Sequence, residues 1–450
     1  MSKSKTLKIF ESDYYRTYKN LVKLIGLWPH ENIHKKRITR FFITVLLTTF
    51  MILQGIRLYE ELGNDIDVVL ELIGSMAYFS GCILKYLTTI KAQAALQFLY
   101  EQIQGHWDTI TNKRERQILQ ESASDSQLLS KLYMGAAYVA LMVYTTSPVL
   151  VPIVLDIALP LNESRRKTFP YFIEYFIDTE LYYYQLMVHG TICFTVSVLV
   201  YISIDTMYAA CCQHLCGLFD IVEHRLKEAV KTNSNRIYLE LDRTDILMHK
   251  LLNEAITLHQ DSIEFAVLIE NTYALCYLLV LGLNLAAIVL VAVDIVINLD
   301  DMNQIIRLSI LYIAFSFHLF FNSVPGQKIH DKSINVMNSA YVYAIHNYCE
   351  SRYFTEWYNL PLNARKLIQL VMHRSLNPCQ FTAGGLFVLN IESFGSVMGL
   401  DDGLKTFRNS RTGFIGDFDL AATPTDLLLE IADCPLGEFL RRVDFRLVMK

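Results

Sequence analysis

Residues 274–297 read ALCYLLVLGLNLAAIVLVAVDIVI, and this stretch decides the fold class. Asp294 is its only charged residue. A bilayer core of about 30 Å needs roughly 20 such residues at 1.5 Å each, and in that solvent a helix satisfies its own backbone polar groups. Six further stretches approach the requirement: 41–56, 68–87, 132–155, 186–207, 305–324 and 381–400. The last is the least apolar. It carries Gly384, Gly385, Asn390, Glu392, Gly395 and Gly399, so it is expected to be stable only when packed against other protein. The expected class is all-α: a polytopic membrane protein with seven transmembrane helices.

Composition agrees. The 450 residues are 52% hydrophobic and 19% charged, against roughly 25% charged in ordinary soluble domains. A net charge of −5, without a basic cluster of the needed size, argues against a nucleic-acid partner. The nine cysteines are scattered, several inside apolar stretches, and imply no disulfide framework. The first apolar stretch follows forty mostly polar residues and reads as a membrane span rather than a cleaved leader.

Lys and Arg counts in the connecting segments predict the orientation. Residues 1–40, 88–131, 208–273 and 325–380 together hold 27. The alternate segments 58–67, 156–185 and 298–304 hold three: Arg165, Arg166 and Lys167. A cytoplasmic N-terminus follows. The sequon Asn162-Glu163-Ser164 then falls on the external side, where Asn162 is a glycosylation candidate. Leu215, Leu218, Phe219, Val222 and Leu226 recur at helical spacing in the polar connector 213–265. They predict that spans four and five continue as helices into a cytoplasmic helical anchor.

No nucleophile–base pair, paired acid and base or phosphate-cradling loop stands at a recognisable spacing, so an enzyme is not expected and no cofactor is implied. Cys211, Cys212, His214 and Cys216 are metal-ligand types, but no second cluster accompanies them at zinc-site spacing; they read as packing residues, and no metal site is expected. His189, near Tyr182, Tyr183 and Tyr184, reads first as a hydrogen-bonded packing residue. Lys85, Asp205 and Asp294 read as interfacial anchors near span ends, and Asn284 as a hydrogen bond to a neighbouring helix. Aromatic and polarizable side chains within the spans suit a small apolar ligand.

Several strings resemble one family. Ile25-Gly26-Leu27-Trp28-Pro29, just before the first span, resembles the amino-terminal signature of insect odorant receptors. Pro325-Gly326-Gln327-Lys328-Ile329 with Ser333, Glu356-Trp357-Tyr358-Asn359-Leu360-Pro361, Arg374-Ser375, Pro378-Cys379 and Thr382-Ala383-Gly384 follow in the order of its carboxy-terminal signature. The resemblance implies a plasma-membrane, ligand-gated cation channel. It would be a heterotetramer of an odorant-tuning subunit and a co-receptor subunit, opened by a small volatile apolar ligand, with helix seven lining the pore. With helical position, it makes Tyr78, Phe79, Tyr144, Ser147, Met187 and Tyr312 the ligand-binding candidates.

Two departures stand against the family pattern: the eight residues 342–349, read as an insertion, and the chain after Val397, which runs through Asp401-Asp402 to Lys450 in place of the family's pore-gating end. The chain therefore divides into a receptor domain, 1–400, and an atypical tail, 401–450. The alternatives are a G-protein-coupled or gustatory-type seven-helix receptor, or a non-conducting variant. The inverse orientation and the lack of an Asp-Arg-Tyr motif oppose the G-protein reading.

Overall fold

In the computed structural model, residues 7–158, 169–178, 180–234, 241–299, 302–345 and, with short gaps, 366–398 are described. The described chain starts with a 3-10 turn, Lys8–Glu11, and continues as α1 (Arg16–Leu24), α2 (Ile33–Glu61), α3 (Ile66–Lys91), α4 (Gln93–Thr109), α5 (Lys113–Ala158), α6 (Tyr183–Ser234), α7 (Leu241–Ile297) and α8 (Met302–Ile345). A small antiparallel hairpin, β1 (Thr382–Ala383) and β2 (Phe387–Val388), and a short helix, α9 (Ile391–Met398), close the described chain.

Among the described residues six helices, α2, α3, α5, α6, α7 and α8, are long and apolar enough to cross a bilayer, and each contains one of the first six expected spans. They run well past them. The 57 residues of α7 extend about 85 Å at 1.5 Å per residue, far beyond a hydrocarbon core of about 30 Å. The described residues of the polar connector after span four, 213–234 and 241–265, are therefore helix, as its periodicity predicts. Helix α6 is central and packs on α1, α5, α7 and α8. Its lower half is sheathed on every side: Cys211, Leu215, Leu218, Ile221 and Val222 are fully buried.

The Ile25–Pro29 string is a clasp at the N-terminal end of the bundle. Gly26 turns the chain at φ +71°, where an L side chain is strained, and a Cβ there would crowd Thr39 and the Lys36 carbonyl. Four carbonyls of the string are then captured: Ile25 by the Tyr86 hydroxyl at 2.7 Å, Gly26 by Arg40 Nε at 2.9 Å, Leu27 by Gln93 Nε2 at 3.0 Å and Pro29 by Lys36 Nζ at 2.9 Å. Trp28 stacks on Tyr100. The loop thereby ties α1 to α2, α3 and α4.

The expectation of one helix across 381–400 is corrected. Gly384 and Gly385 both take positive φ, +61° and +74°, and reverse the chain between β1 and β2; the Thr382 hydroxyl accepts from Gly385 N at 3.1 Å across the turn. Helix starts only at Ile391, beyond the Asn390 side chain that caps Ser393 N at 2.7 Å.

The hairpin also explains the carboxy-terminal signature. Pro325 interrupts the hydrogen-bond ladder inside α8, and Gly326 leaves room for the Leu389 carbonyl, which a Cβ would strike. Gln327 Oε1 accepts from Ile391 N at 3.4 Å, Ser333 Oγ from Cys379 N at 3.1 Å, and Glu270 of α7 from both the amide and the hydroxyl of Thr382. Asn162, all of the tail 401–450, residues 346–349 of the 342–349 insertion and the Trp357 string lie outside the described residues.

Candidate ligand cavity

Between α3, α5, α6, α7 and α8, in the half of the bundle away from the N-terminus, lies a cavity of about 460 Å³. That is within the range of small-molecule sites. Its walls follow from helical periodicity. Glu71, Gly74, Ser75 and Tyr78 form one face of α3; Tyr133, Ala136, Ala137, Ala140 and Tyr144 one face of α5; Phe194, Val198 and Tyr201 one face of α6; Leu311, Ala314, Phe315 and His318 one face of α8. Helix α7 adds Asn284, Val291 and Asp294, and the segment before α6 adds Tyr171 and Phe172.

The tyrosines present rings rather than hydroxyls. Tyr78 bonds Ser197 Oγ at 2.9 Å, and because Ser197 itself donates to the Phe194 carbonyl, the Tyr78 proton is the one shared between them. Tyr201 donates to the Tyr78 carbonyl, Tyr171 to the Leu186 carbonyl, Tyr144 to the Pro170 carbonyl and Tyr133 to Asp205. The rings interlock: Tyr78 lies 5.2 Å from Tyr201, 5.8 Å from Phe315 and 6.3 Å from Phe194.

Below the floor is a buried polar network. Lys85 and Asp205, both 0% exposed, pair directly. Asp205 also accepts from Tyr133 and Tyr277 at 3.0 Å each and lies 3.2 Å from His318 Nε2, which is 3.0 Å from Asn322. The Lys85 ammonium sits 5.0 Å from the ring centroids of Tyr201 and Tyr277. Lys85 and Asp205 are thus not interfacial anchors: with partners on five helices they stay inside, where neither could remain charged alone. Three network members, Tyr133, Tyr201 and His318, are also cavity wall.

At the opposite end, Glu71 Oε2 accepts from Arg307 at 2.6 Å, and Arg307 reaches the Phe169 carbonyl. Asp294 is likewise wall rather than anchor: 2% exposed, it accepts from Asn298 at 2.8 Å. Asn284 donates to the Phe315 carbonyl at 3.2 Å, the interhelical bond its position predicts.

Of the six ligand candidates, Tyr78 and Tyr144 line the cavity; Phe79, Ser147, Met187 and Tyr312 are not among its wall residues. The difference is rotational and axial. Phe79 lies 100° round α3 from Tyr78 and is fully buried against Phe50 and Phe194. Tyr312 is similarly displaced from Leu311. Ser147 follows Tyr144 on the same face but lies one turn past it, its hydroxyl turned to the Tyr144 carbonyl, and Met187 is two turns before Phe194. His189 packs through Tyr175, 2.9 Å from its Nδ1. At the far end of α6, His214 is held between His106 at 3.1 Å and Tyr15 at 3.4 Å.

Wall residues passed over in the sequence, notably Glu71, Tyr133, Phe194, Tyr201 and His318, were reachable by stepping three, four and seven residues from Tyr78 and Tyr144 or along the later spans. Tyr171 and Phe172 carry no such signal, since they come from an irregular segment.

The sequence profile described as 7tm Odorant receptor matches residues 66–400. Among solved structures, the insect olfactory receptor OR5 from Machilis hrabei superposes with a TM-score of 0.64 at 14% identity, covering 87% of this chain and 96% of that one. The same receptor in complex with eugenol gives 0.66 at 13% identity, covering 86% and 97%. No curated protein matches.

Proposed function

The chain belongs to the 7tm odorant receptor family, and from that premise we propose that it is the odorant-binding subunit of a heteromeric, ligand-gated cation channel in the plasma membrane of olfactory neurons, assembled with a co-receptor subunit. The observation that carries the reading is the cavity: about 460 Å³, lined by aromatic and aliphatic side chains of five helices, in a fold whose solved relative has been captured with eugenol. Apolar ring faces stabilise a small volatile molecule mainly by area removed from water. Tyr78 and Tyr144 are the proposed contacts from the original six, with Phe194 and Phe315 beside them, while Phe79 supports Tyr78 from behind.

Binding here reaches the rest of the molecule through packed contacts. A ligand pressing on Tyr133, Tyr201 or His318 presses on groups bonded to or stacked against the Lys85–Asp205 pair. Below that pair, α7 and α8 hold the hairpin leading into α9, the family's pore segment by resemblance.

The test is coexpression with a co-receptor, with currents recorded against a panel of volatiles. Tyr78→Ala and Tyr144→Ala should each raise the half-maximal concentration roughly 5- to 150-fold, the equivalent of about 1–3 kcal/mol of lost burial, with surface expression retained. Unchanged dose-response curves for both, or currents no larger than those of the co-receptor alone, would overturn the proposal.

A further inference from the structure

The cavity is apolar along its length but chemically lopsided. The hydroxyl protons of its five tyrosines among the described residues are all committed to partners: Ser197, Asp205 and the carbonyls of Tyr78, Pro170 and Leu186. One N–H of the Asn284 amide is committed to the Phe315 carbonyl. A ligand group that only accepts, such as an ether or ketone oxygen, finds none of these tyrosine donors free.

Acceptors are in surplus at one end. Glu71, 8% exposed, spends Oε2 on Arg307, while its Oε1 is buried without a partner among the described residues. Asp294 adds a second carboxylate to the same wall, supported on one oxygen by Asn298. Arg307 balances one of these two charges. A buried carboxylate oxygen left unbonded is costly, and an arriving N–H or O–H group relieves that cost where an isosteric acceptor cannot.

We propose that this chain selects ligands with an apolar body and a terminal hydrogen-bond donor, a hydroxyl or an amine, whose donor lies at the Glu71–Asp294 end while the body lies among Tyr78, Tyr144, Phe194 and Phe315. The inference rests on the cavity being the odorant site, and it adds the chemical class of the odorant.

Matched probes test it: 2-phenylethanol, its methyl ether, 2-phenylethylamine and ethylbenzene, and the same four head groups on an octyl chain. Each is applied to the full chain with its co-receptor, and thermal shift of the purified complex reports binding independently of gating. The alcohol or the amine should act at about tenfold lower concentration than the ether and hydrocarbon of equal skeleton, as expected for a hydrogen bond to a charged group. Whichever of the two leads identifies the donor.

Glu71→Gln should collapse that ratio while responses to the hydrocarbon persist. Loss of the charge facing Arg307 could instead impair folding; Asp294→Asn, which keeps the Asn298 contact, then supplies the second reading and should also shrink the ratio. A merely structural role would move every probe alike. Equal potency of donor and ether in the wild type, or an unchanged ratio in both variants, overturns the donor assignment and leaves the odorant site standing. No shift and no current with any of the eight probes overturns the donor class; if a wider volatile panel is also silent, the receptor reading falls as well.

Discussion

Lys85 and Asp205 stand 120 residues apart in the chain and share one buried contact. Removing one partner strands the other charge in a low-dielectric interior, whereas removing both leaves an apolar contact. Lys85→Met alone should therefore lower stability by about 3–5 kcal/mol, and Lys85→Met with Asp205→Leu by clearly less. Thermal unfolding of the detergent-solubilised protein measures both, and a double variant as damaged as the single one would contradict the argument. The sequence displays these charges inside spans but not their pairing, because pairing is set by helix rotation and by which helices are neighbours. His106, on α4 outside the spans, gives a second case. Burial beneath His214 and Phe265 pushes its imidazole down to about 4, so the folded state holds it neutral. The unfolded chain takes up the proton near pH 6.5. Its stabilising contribution is thus present above pH 6.5 and is lost as the pH falls toward 4, by roughly 2 kcal/mol at pH 5. A melting series from pH 7.5 to 4.5 should show that decline, and His106→Gln should make it shallower.

At the scale of elements, what was legible was whatever repeats. Six spans announce themselves by apolar length, and the extensions of α6 and α7 by the 3.6-residue recurrence from Leu215 to Leu226. The 381–400 segment misleads because its apolar residues satisfy a window count while Gly384-Gly385 supplies a turn that only backbone conformation reveals. The family strings at 325–333 and 379–384 carry the missing information, for Ser333 of the first holds Cys379 of the second, and Gly326 meets Leu389 at the end of the hairpin that the second string opens. Gly326→Ala should push the hairpin off α8, at a cost of about 1–3 kcal/mol. Limited proteolysis should then cut residues 377–390 faster in the variant. Equal cleavage rates and equal melting temperatures would show that the hairpin adapts without loss.

Over the whole molecule, helix ends and charge agree on one polarity. The start of α5, the end of α6, the start of α7 and the end of α8 gather at a single end of the bundle, joined by Arg225 to Glu115 and the Glu254 carbonyl and by Lys332 to Asp220. The Ile25–Pro29 clasp and α4 lie at that end too. These are the segments that hold the 27 basic residues, against three in the alternate set. Cationic segments resist translocation, so this end should face the cytoplasm with the N-terminus. Length agrees, since most of the helix beyond a bilayer core of about 30 Å is on this side. A tag at Met1 should then be reached by antibody only after cells are permeabilised, and a tag between Glu163 and Lys167 should be reached on intact cells. Asn162 should carry glycan, and Asn162→Gln should remove an endoglycosidase-sensitive shift in mobility. No single Lys or Arg decides the outcome, because the bias is distributed over four segments; neutralising one segment should leave the labelling pattern unchanged. Labelling of the Met1 tag on intact cells would reverse the assignment. The cavity, which lies in the other half of the bundle, would then open toward the cytoplasm, and a volatile ligand would have to cross the membrane before it could bind.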